Sequence, residues 1–407
     1  MSTSTAWKES GKLMTTTPVS SGILGAVLIL AAAWILYLAL EAVLLRRARG
    51  KLRHVVHVNG TRGKSSVSRM IAAGLSAGGM RTFCKTTGTD PMTIDTAGHE
   101  ALIKRRGPAN IREQIRILRQ AAAEGAEVFV VECMAVEPAL QRAAQHMILR
   151  ADIGVITNVR RDHTDVMGDT LPEIAEALCS TVPDRGVLFT AEKEQLPILQ
   201  GACDACGTKL FCAEPDEALP TFDFPDNIAL ALAVCSHLGV PREKELEGMK
   251  NYLRDPYVLS VRRRGCMLFV NAFSANDIQS VRMIHDMMLS REIFAGGEWI
   301  LVINNRPDRG SRTEDMLTFC RTVQPIPEKI FLLGAARGYM ERGIRRSLRD
   351  TRVQAFRDAG SLCEALFEEE CSCADRGKTL CVFATGNIAG CAREVLQLIG
   401  TEGESIV

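Results

Sequence analysis

The sequence predicts an α/β protein with one N-terminal transmembrane helix, and three observations carry that expectation. Short apolar runs alternate with helical patterns along most of the 407 residues, as in parallel strands joined by crossover helices. One such run, Val55–Val58, leads into Asn59-Gly60-Thr61-Arg62-Gly63-Lys64-Ser65-Ser66 and then a helical pattern at Met70, Ile71 and Leu75. Between Gly22 and Leu45 the single charge is Glu41.

Taken in order, residues 1–21 are polar, rich in Ser and Thr, and expected to be disordered. A helix over 22–45 would be about 36 Å long, against a hydrocarbon core of about 30 Å. Trp34 and Tyr37 are candidate interface residues. Arg46, Arg47, Arg49, Lys51 and Arg53 follow at once, which predicts a single pass with the large C-terminal part in the cytoplasm. A cleaved signal peptide fits poorly, because its apolar region would be too long and its basic flank on the wrong side.

The stretch after Val58 reads as a strand, a tight loop and a helix start. Unpaired N–H groups and a partial positive charge suit such a start to a phosphate. Gly60 and Gly63 allow close backbone approach, Lys64 can reach outer phosphates, and the Ser65 hydroxyl can bind Mg²⁺. The strict phosphate-loop spacing would need glycine where Val58 stands, so the loop is shorter than usual. A plain strand–turn–helix corner with a surface lysine is the alternative.

Two further apolar runs end in groups able to do chemistry. Val128–Val131 leads into Glu132, and Ile153–Ile156 into Thr157-Asn158 with Asp162, His163 and Asp165 behind. Ligands bind beyond the carboxyl ends of such strands, so Glu132, Asn158 and His163 should flank the loop. Each alone could be a helix cap or a surface residue. Residues 181–225 read as a connection with one or two strands, and Asp226–Val234 begins an apolar helix. A boundary near 240–257 divides a nucleotide-binding unit, 46–245, from a Rossmann-like α/β unit, 246–407. In the latter the expected strands are Met267–Val270, Trp299–Ile303, Lys329–Leu333, Val353–Phe356 and Leu380–Ala384, with helices over Asp277–Ser290 and Ala389–Ile399.

A formal charge of +1 argues against a dedicated nucleic-acid binder. Fourteen cysteines in so long a chain read as reduced thiols; Cys203, Cys206 and Cys212 lack a fourth zinc ligand at good spacing. Met283, Met287 and Met288 read as core residues, and His146, His237 and His285 as structural or exposed. Arg262–Arg264, Arg306, Arg309, Arg312, Arg337, Arg342, Arg345 and Arg346 form a dense basic set, of which Arg306-Pro307-Asp308-Arg309 most suggests a polyanionic ligand.

Val58–Ser65 and Ile156-Thr157-Asn158-Val159-Arg160-Arg161-Asp162-His163-Thr164-Asp165 resemble the ATP loop and Thr-Asn…Asp-His signature of the Mur ligases. Asp226-Asn227 before an Ala-rich helix resembles that superfamily's nucleotide-contacting asparagine, and Glu132 its strand-end Mg²⁺ glutamate. The resemblance covers roughly residues 54–400, with a membrane span where a UDP-sugar domain would stand. The loop, the chain length and Gly386-Asn387-Ile388-Ala389-Gly390 are most similar to the ligase subunit of poly-γ-glutamate synthases.

That resemblance implies a bacterial inner-membrane enzyme that uses ATP and Mg²⁺ to join glutamate into poly-γ-glutamate through an acyl phosphate. It implies small membrane subunits, membrane lipid and a possible homo-oligomer as partners. Lys64, Glu132 and His163 would be catalytic, with Ser65, Glu132 and His163 at the metal. Asn59, Gly60, Thr61, Arg62, Gly63, Lys64, Ser65, Ser66, Asn158 and Asn227 would hold the nucleotide from the central unit, and Asp308 and Arg309 from the second. Two departures stand out. No lysine lies between His163 and Lys193 to serve as a carbamylated metal ligand, and the usual Asp-rich stretch is represented only by 271–277. A folylpolyglutamate-type ligase, a tethered ATPase energising export and a nucleotide-sensing scaffold are the competing readings.

Overall fold

The computed structural model describes residues 21–400 except 89, 216–222, 256, 276, 295–296, 306–309 and 349–350. Among the described residues the strands form two sheets. The first holds β1 (His54–Asn59), β2 (Thr82–Thr86), β3 (Met92–Ile94), β4 (Glu100–Leu102), β5 (Val128–Glu132), β6 (Ile153–Ile156), β7 (Val187–Thr190) and β8 (Lys209–Cys212) in the order β4-β3-β2-β5-β1-β6-β7-β8. β3 and β4 are antiparallel additions at one edge. The chain leaves β1 towards one side of the sheet and later returns to fill the other, so β1 is the switch point at which open α/β sheets bind ligands.

The second sheet holds β9 (Ser260–Arg264), β10 (Met267–Ala272), β11 (Gly297–Asn305), β12 (Lys329–Gly334), β13 (Arg352–Ala355) and β14 (Thr379–Thr385), ordered β13-β12-β11-β14-β10-β9. Its one antiparallel pair is β9 with β10. Arg262–Arg264 therefore lie on an edge strand, and Arg337, Arg342, Arg345 and Arg346 on the helix Arg337–Ser347. The side chain of Arg312 lies outside the described residues.

Helix α1 runs from Ser21 to Arg49, α2 from Lys64 to Ala77 and α3 from Glu113 to Ala123. The apolar side of α2 (Val67, Met70, Ile71, Leu75) is fully buried against Val56, Val58 and the helix Pro225–His237. Each such side chain contributes about 1.5–3 kcal/mol by leaving water, which fixes the start of α2 and thus the loop before it.

α1 is long and apolar enough to cross a membrane, and its apolar side chains are largely exposed. Its last turn is clamped to the first sheet. Arg49 donates to Leu149 O (3.0 Å), Leu52 O (3.0 Å) and Asp152 Oδ1 (2.8 Å), and Asp152 also accepts from Val55 N (2.8 Å). The helix is therefore anchored beside β1, the strand that leads into the Gly60–Gly63 loop.

The histidines and methionines resolve individually. His285 is buried among Phe294, Trp299, Phe319 and Phe383. His146 meets Asp184 (3.0 Å), and His237 lies edge-on to Phe189. Met288 is core, whereas Met283 and Met287 help to line a cleft, because their helix packs one face inward and offers the other to the first sheet.

Candidate active site

Three parallel strands deliver the site. β1 lies between β5 and β6, with Val58 opposite Glu132 and Asn59 opposite Ile156. The loop after β1, the Glu132 carboxylate and the 157–163 segment thus open at one edge.

The loop's shape depends on its two glycines. Gly60 has φ +126°, and a Cβ there would lie 2.1 Å from Thr157 Oγ1; Gly63 has φ +80°, and its Cβ would lie 2.6 Å from Asn227 Oδ1. Both positions exclude an ordinary side chain by conformation and by space. Asn158 braces the loop, accepting from Thr61 Oγ1 (2.8 Å) and Arg62 N (3.1 Å) and donating to Arg62 O (3.1 Å). Thr157 Oγ1 donates to Arg62 O (2.6 Å). Asn59 is buried behind the loop and donates to Gln141 Oε1 (2.8 Å) and Thr181 Oγ1 (3.1 Å). α2 starts at Lys64 with no side-chain cap, leaving first-turn N–H groups beside the loop. Lys64 Nζ donates to Gly60 O (2.7 Å).

Glu132 is 3% exposed and accepts from Thr87 N (2.6 Å) and Ser65 Oγ (2.8 Å) on the same oxygen. Buried carboxylates need such donors. Among the described residues no three His, Cys, Asp or Glu side chains cluster as a metal cage. The donors fit a hard cation of the Mg²⁺ type, which takes one or two protein oxygens and completes its shell with phosphate and water.

Two clefts flank the loop. One, of about 230 Å³, is lined by Asn59, Gly60, Thr61, Lys64, Glu132 and His163, with Arg105 at its wall. The other, of about 360 Å³, lies between the sheets and includes Arg62, Gly63, Ser66, Asn158, Asn227 and Met283. Lys64, Glu132 and His163 are thus brought to one cleft, and Ser65 joins it through Glu132. His163 is in left-handed backbone conformation, with Nε2 3.9 Å from Asp162 Oδ2. Asp308 and Arg309 lie outside the described residues.

The second sheet meets the loop directly. Arg62 pairs with Asp277 (2.8 Å), which also caps the helix Ile278–Ser290 by accepting from Ser280 N (2.8 Å). Arg393 pairs with Asp90 (3.1 Å). Asn227 donates to Asp223 (3.0 Å), and Asp223 accepts from Tyr252 OH (2.7 Å). Arg105 grips Glu113 through two bonds (2.7 and 3.0 Å), and the fully buried Lys85 pairs with the same carboxylate (3.1 Å). Burial pushes the Glu113 carboxyl up, but these cations outweigh it and hold it below the usual range.

Several of these residues carry no readable signal in the sequence. Thr87 contributes only a backbone N–H, and Arg105 sits in a loop without periodicity. Asp223 and Tyr252 flank an uninformative connection. Thr157 was legible, as the partner of Asn158 in the same dipeptide.

Residues 58–195 match the Mur ligase middle domain, and residues 258–402 the poly-gamma-glutamate synthase CapB C-terminal domain. The chain is 33% identical over 401 residues to the PGA synthase CapB of Bacillus subtilis, a match spanning 90% of this chain and 97% of that protein. The chain belongs to the CapB family. It is also 40% identical over 284 residues to the capsule biosynthesis protein CapB of Bacillus anthracis, spanning 66% of this chain and 60% of that one. Among solved structures, the bifunctional folylpolyglutamate synthase/dihydrofolate synthase of Yersinia pestis, complexed with AMPPNP and a manganese ion, aligns with a TM-score of 0.62. That alignment covers 90% of this chain and 98% of the other at 16% identity, a likeness of fold between this CapB-family chain and the Mur-type ligases.

Proposed function

We propose that the protein is the ATP-dependent ligase that joins glutamate into poly-γ-glutamate at the cytoplasmic face of a bacterial inner membrane. The observation that carries the reading is the meeting of Lys64 with the bonded pair Ser65–Glu132 at the switch-point strand, between two clefts. The inter-sheet cleft with Asn227 suits the nucleoside, and the cleft with His163 and Arg105 suits the carboxylate to be activated.

The chemistry follows from the reactants. A carboxylate resists attack by an amine because its carbon is shielded by negative charge. One carboxylate oxygen attacks the γ-phosphorus of ATP, ADP departs, and an acyl phosphate results. The amine of the next glutamate attacks the acyl carbon and phosphate leaves; the amine's proton passes to solvent or to phosphate. N–H groups of residues 60–65 and the Lys64 ammonium stabilise charge on the moving phosphoryl group. Mg²⁺, held by Ser65 and Glu132 with His163 directly or through water, would neutralise the oxygens of that group. The Arg62–Asp277 and Arg393–Asp90 pairs hold the unit of residues 246–407 over that of 46–245 and help to exclude water from the acyl phosphate.

α1 favours this reading over a soluble folylpolyglutamate-type ligase, whose substrate has no need of a membrane. Small membrane subunits and a homo-oligomer complete the proposed assembly. Lys64→Ala tests it: glutamate incorporation should be lost with the fold intact, and retained incorporation would remove Lys64 from the mechanism.

A further inference from the structure

A further cleft, sharing no lining residue with the two at the loop, lies in the angle between α1 and α3. It is a groove of about 450 Å³ lined by Glu41, Arg112, Ile115, Arg116, Arg119 and Gln120. Arg112, Arg116 and Arg119 fall one turn apart on a single stripe of α3 and are exposed, while Gln114, Ile117, Leu118, Ala121 and Ala122 bury the opposite side. Arg112 is paired with Glu41 and lies 3.4 Å from Tyr37 OH. Arg116 and Arg119 have no ion-pair partner among the described residues.

The height of this groove follows from α1. From Ser21 to Glu41 the helix rises about 30 Å, the thickness of a hydrocarbon core. The two turns after Glu41 dock on the first sheet through Leu45 and Arg49. Glu41 therefore marks the inner boundary of the bilayer, with its charge neutralised by Arg112, and α3 runs at the level of the headgroups. Above the groove, on the face of α1 that carries Tyr37 and Glu41, Leu30, Trp34 and Leu38 are exposed apolar side chains.

Resting on the reading of α1 as a membrane span, we infer that this groove binds the headgroup of an anionic phospholipid. The guanidinium groups of Arg116 and Arg119, with that of Arg112 at the boundary, take the phosphate, and the acyl chains lie along Leu30, Trp34 and Leu38. Arginine suits the role because its planar donors match phosphate oxygens in pairs. The bound lipid would fix the distance of the active site from the inner leaflet. Soluble polyglutamate is the other polyanion to consider; the adjoining apolar surface favours the lipid.

The experiment uses the full chain released in detergent. Native mass spectrometry follows retention of added phosphatidylglycerol against phosphatidylcholine, for the parent and for Arg116→Gln/Arg119→Gln. Both residues are exposed and outside the catalytic cleft, so ADP production by the variant serves as the folding control. Preferential retention of phosphatidylglycerol, weakened roughly ten-fold in the variant, is expected. Equal retention by parent and variant, or displacement of the lipid by soluble polyglutamate, overturns the inference. Extraction with alkaline carbonate separates the two levels: release of the parent from membranes would remove the span itself, whereas an integral protein without lipid preference would remove only the groove.

Discussion

Replacing Gly63 with alanine puts the link between the loop after β1 and Asn227 to the test. Gly63 sits at φ +80°, ψ −4°, where an L-residue costs about 1–2 kcal/mol. The new Cβ would lie 2.6 Å from Asn227 Oδ1 and 3.3 Å from its Cγ, so the amide must move. Moving it strains the bond from Asn227 to Asp223, which contributes about 1 kcal/mol. The expected destabilisation is about 2–3 kcal/mol, well below the stability of an ordinary domain. The fold should persist while Asn227 is driven from its place at the inter-sheet cleft. Urea unfolding measures the first effect, and titration with a fluorescent ATP analogue the second. Asn227→Ala should reproduce the loss of nucleotide affinity without the backbone strain. If Gly63→Ala loses the expected stability yet binds nucleotide as the parent does, Asn227 is not a nucleotide contact and the reasoning fails.

Other outcomes follow from single groups. Glu132→Gln keeps an acceptor for Thr87 N–H and Ser65 but loses the charge; ADP release should fall at least about 100-fold with little change in unfolding midpoint. Asp277→Asn keeps the cap on its helix while removing the charge opposite Arg62, and should lower glutamate incorporation more than nucleotide binding, as paired assays would show. His57 is buried beside Gln145 and pushed down to about 4 by desolvation. The unfolded chain takes up this proton first, so stability from this group is full above about pH 6.5 and falls as pH drops towards 4, by about 3 kcal/mol. Urea unfolding across that range should show a steep acid limb that His57→Gln flattens.

Much of this architecture was legible because parallel strands are buried on both faces and appear as unbroken apolar runs; β1, β5, β6, β10, β12 and β14 all read that way. The strands that escaped notice break the pattern for physical reasons. β2 contains Lys85, whose charge is matched by Glu113 on a separate helix. β9 is an edge strand with outward arginines, easily taken for a ligand-binding cluster. At the site, the loop, Glu132 and His163 were visible because each follows a strong strand signal. The bracing role of Asn158 and the burial of Asn59 were not, since hydrogen bonds across strands leave no trace in spacing. The Arg62–Asp277 contact joins two sheets, and pattern reading treats each sheet alone.

The most direct measurement is ADP formation by membranes carrying the full chain and its membrane partners, with amino acids supplied one at a time. Glutamate alone should drive ADP release, in step with its incorporation into polymer, and Lys64→Ala should abolish both. ATP turnover that proceeds equally without any amino acid, or that requires a folate, would contradict the assignment.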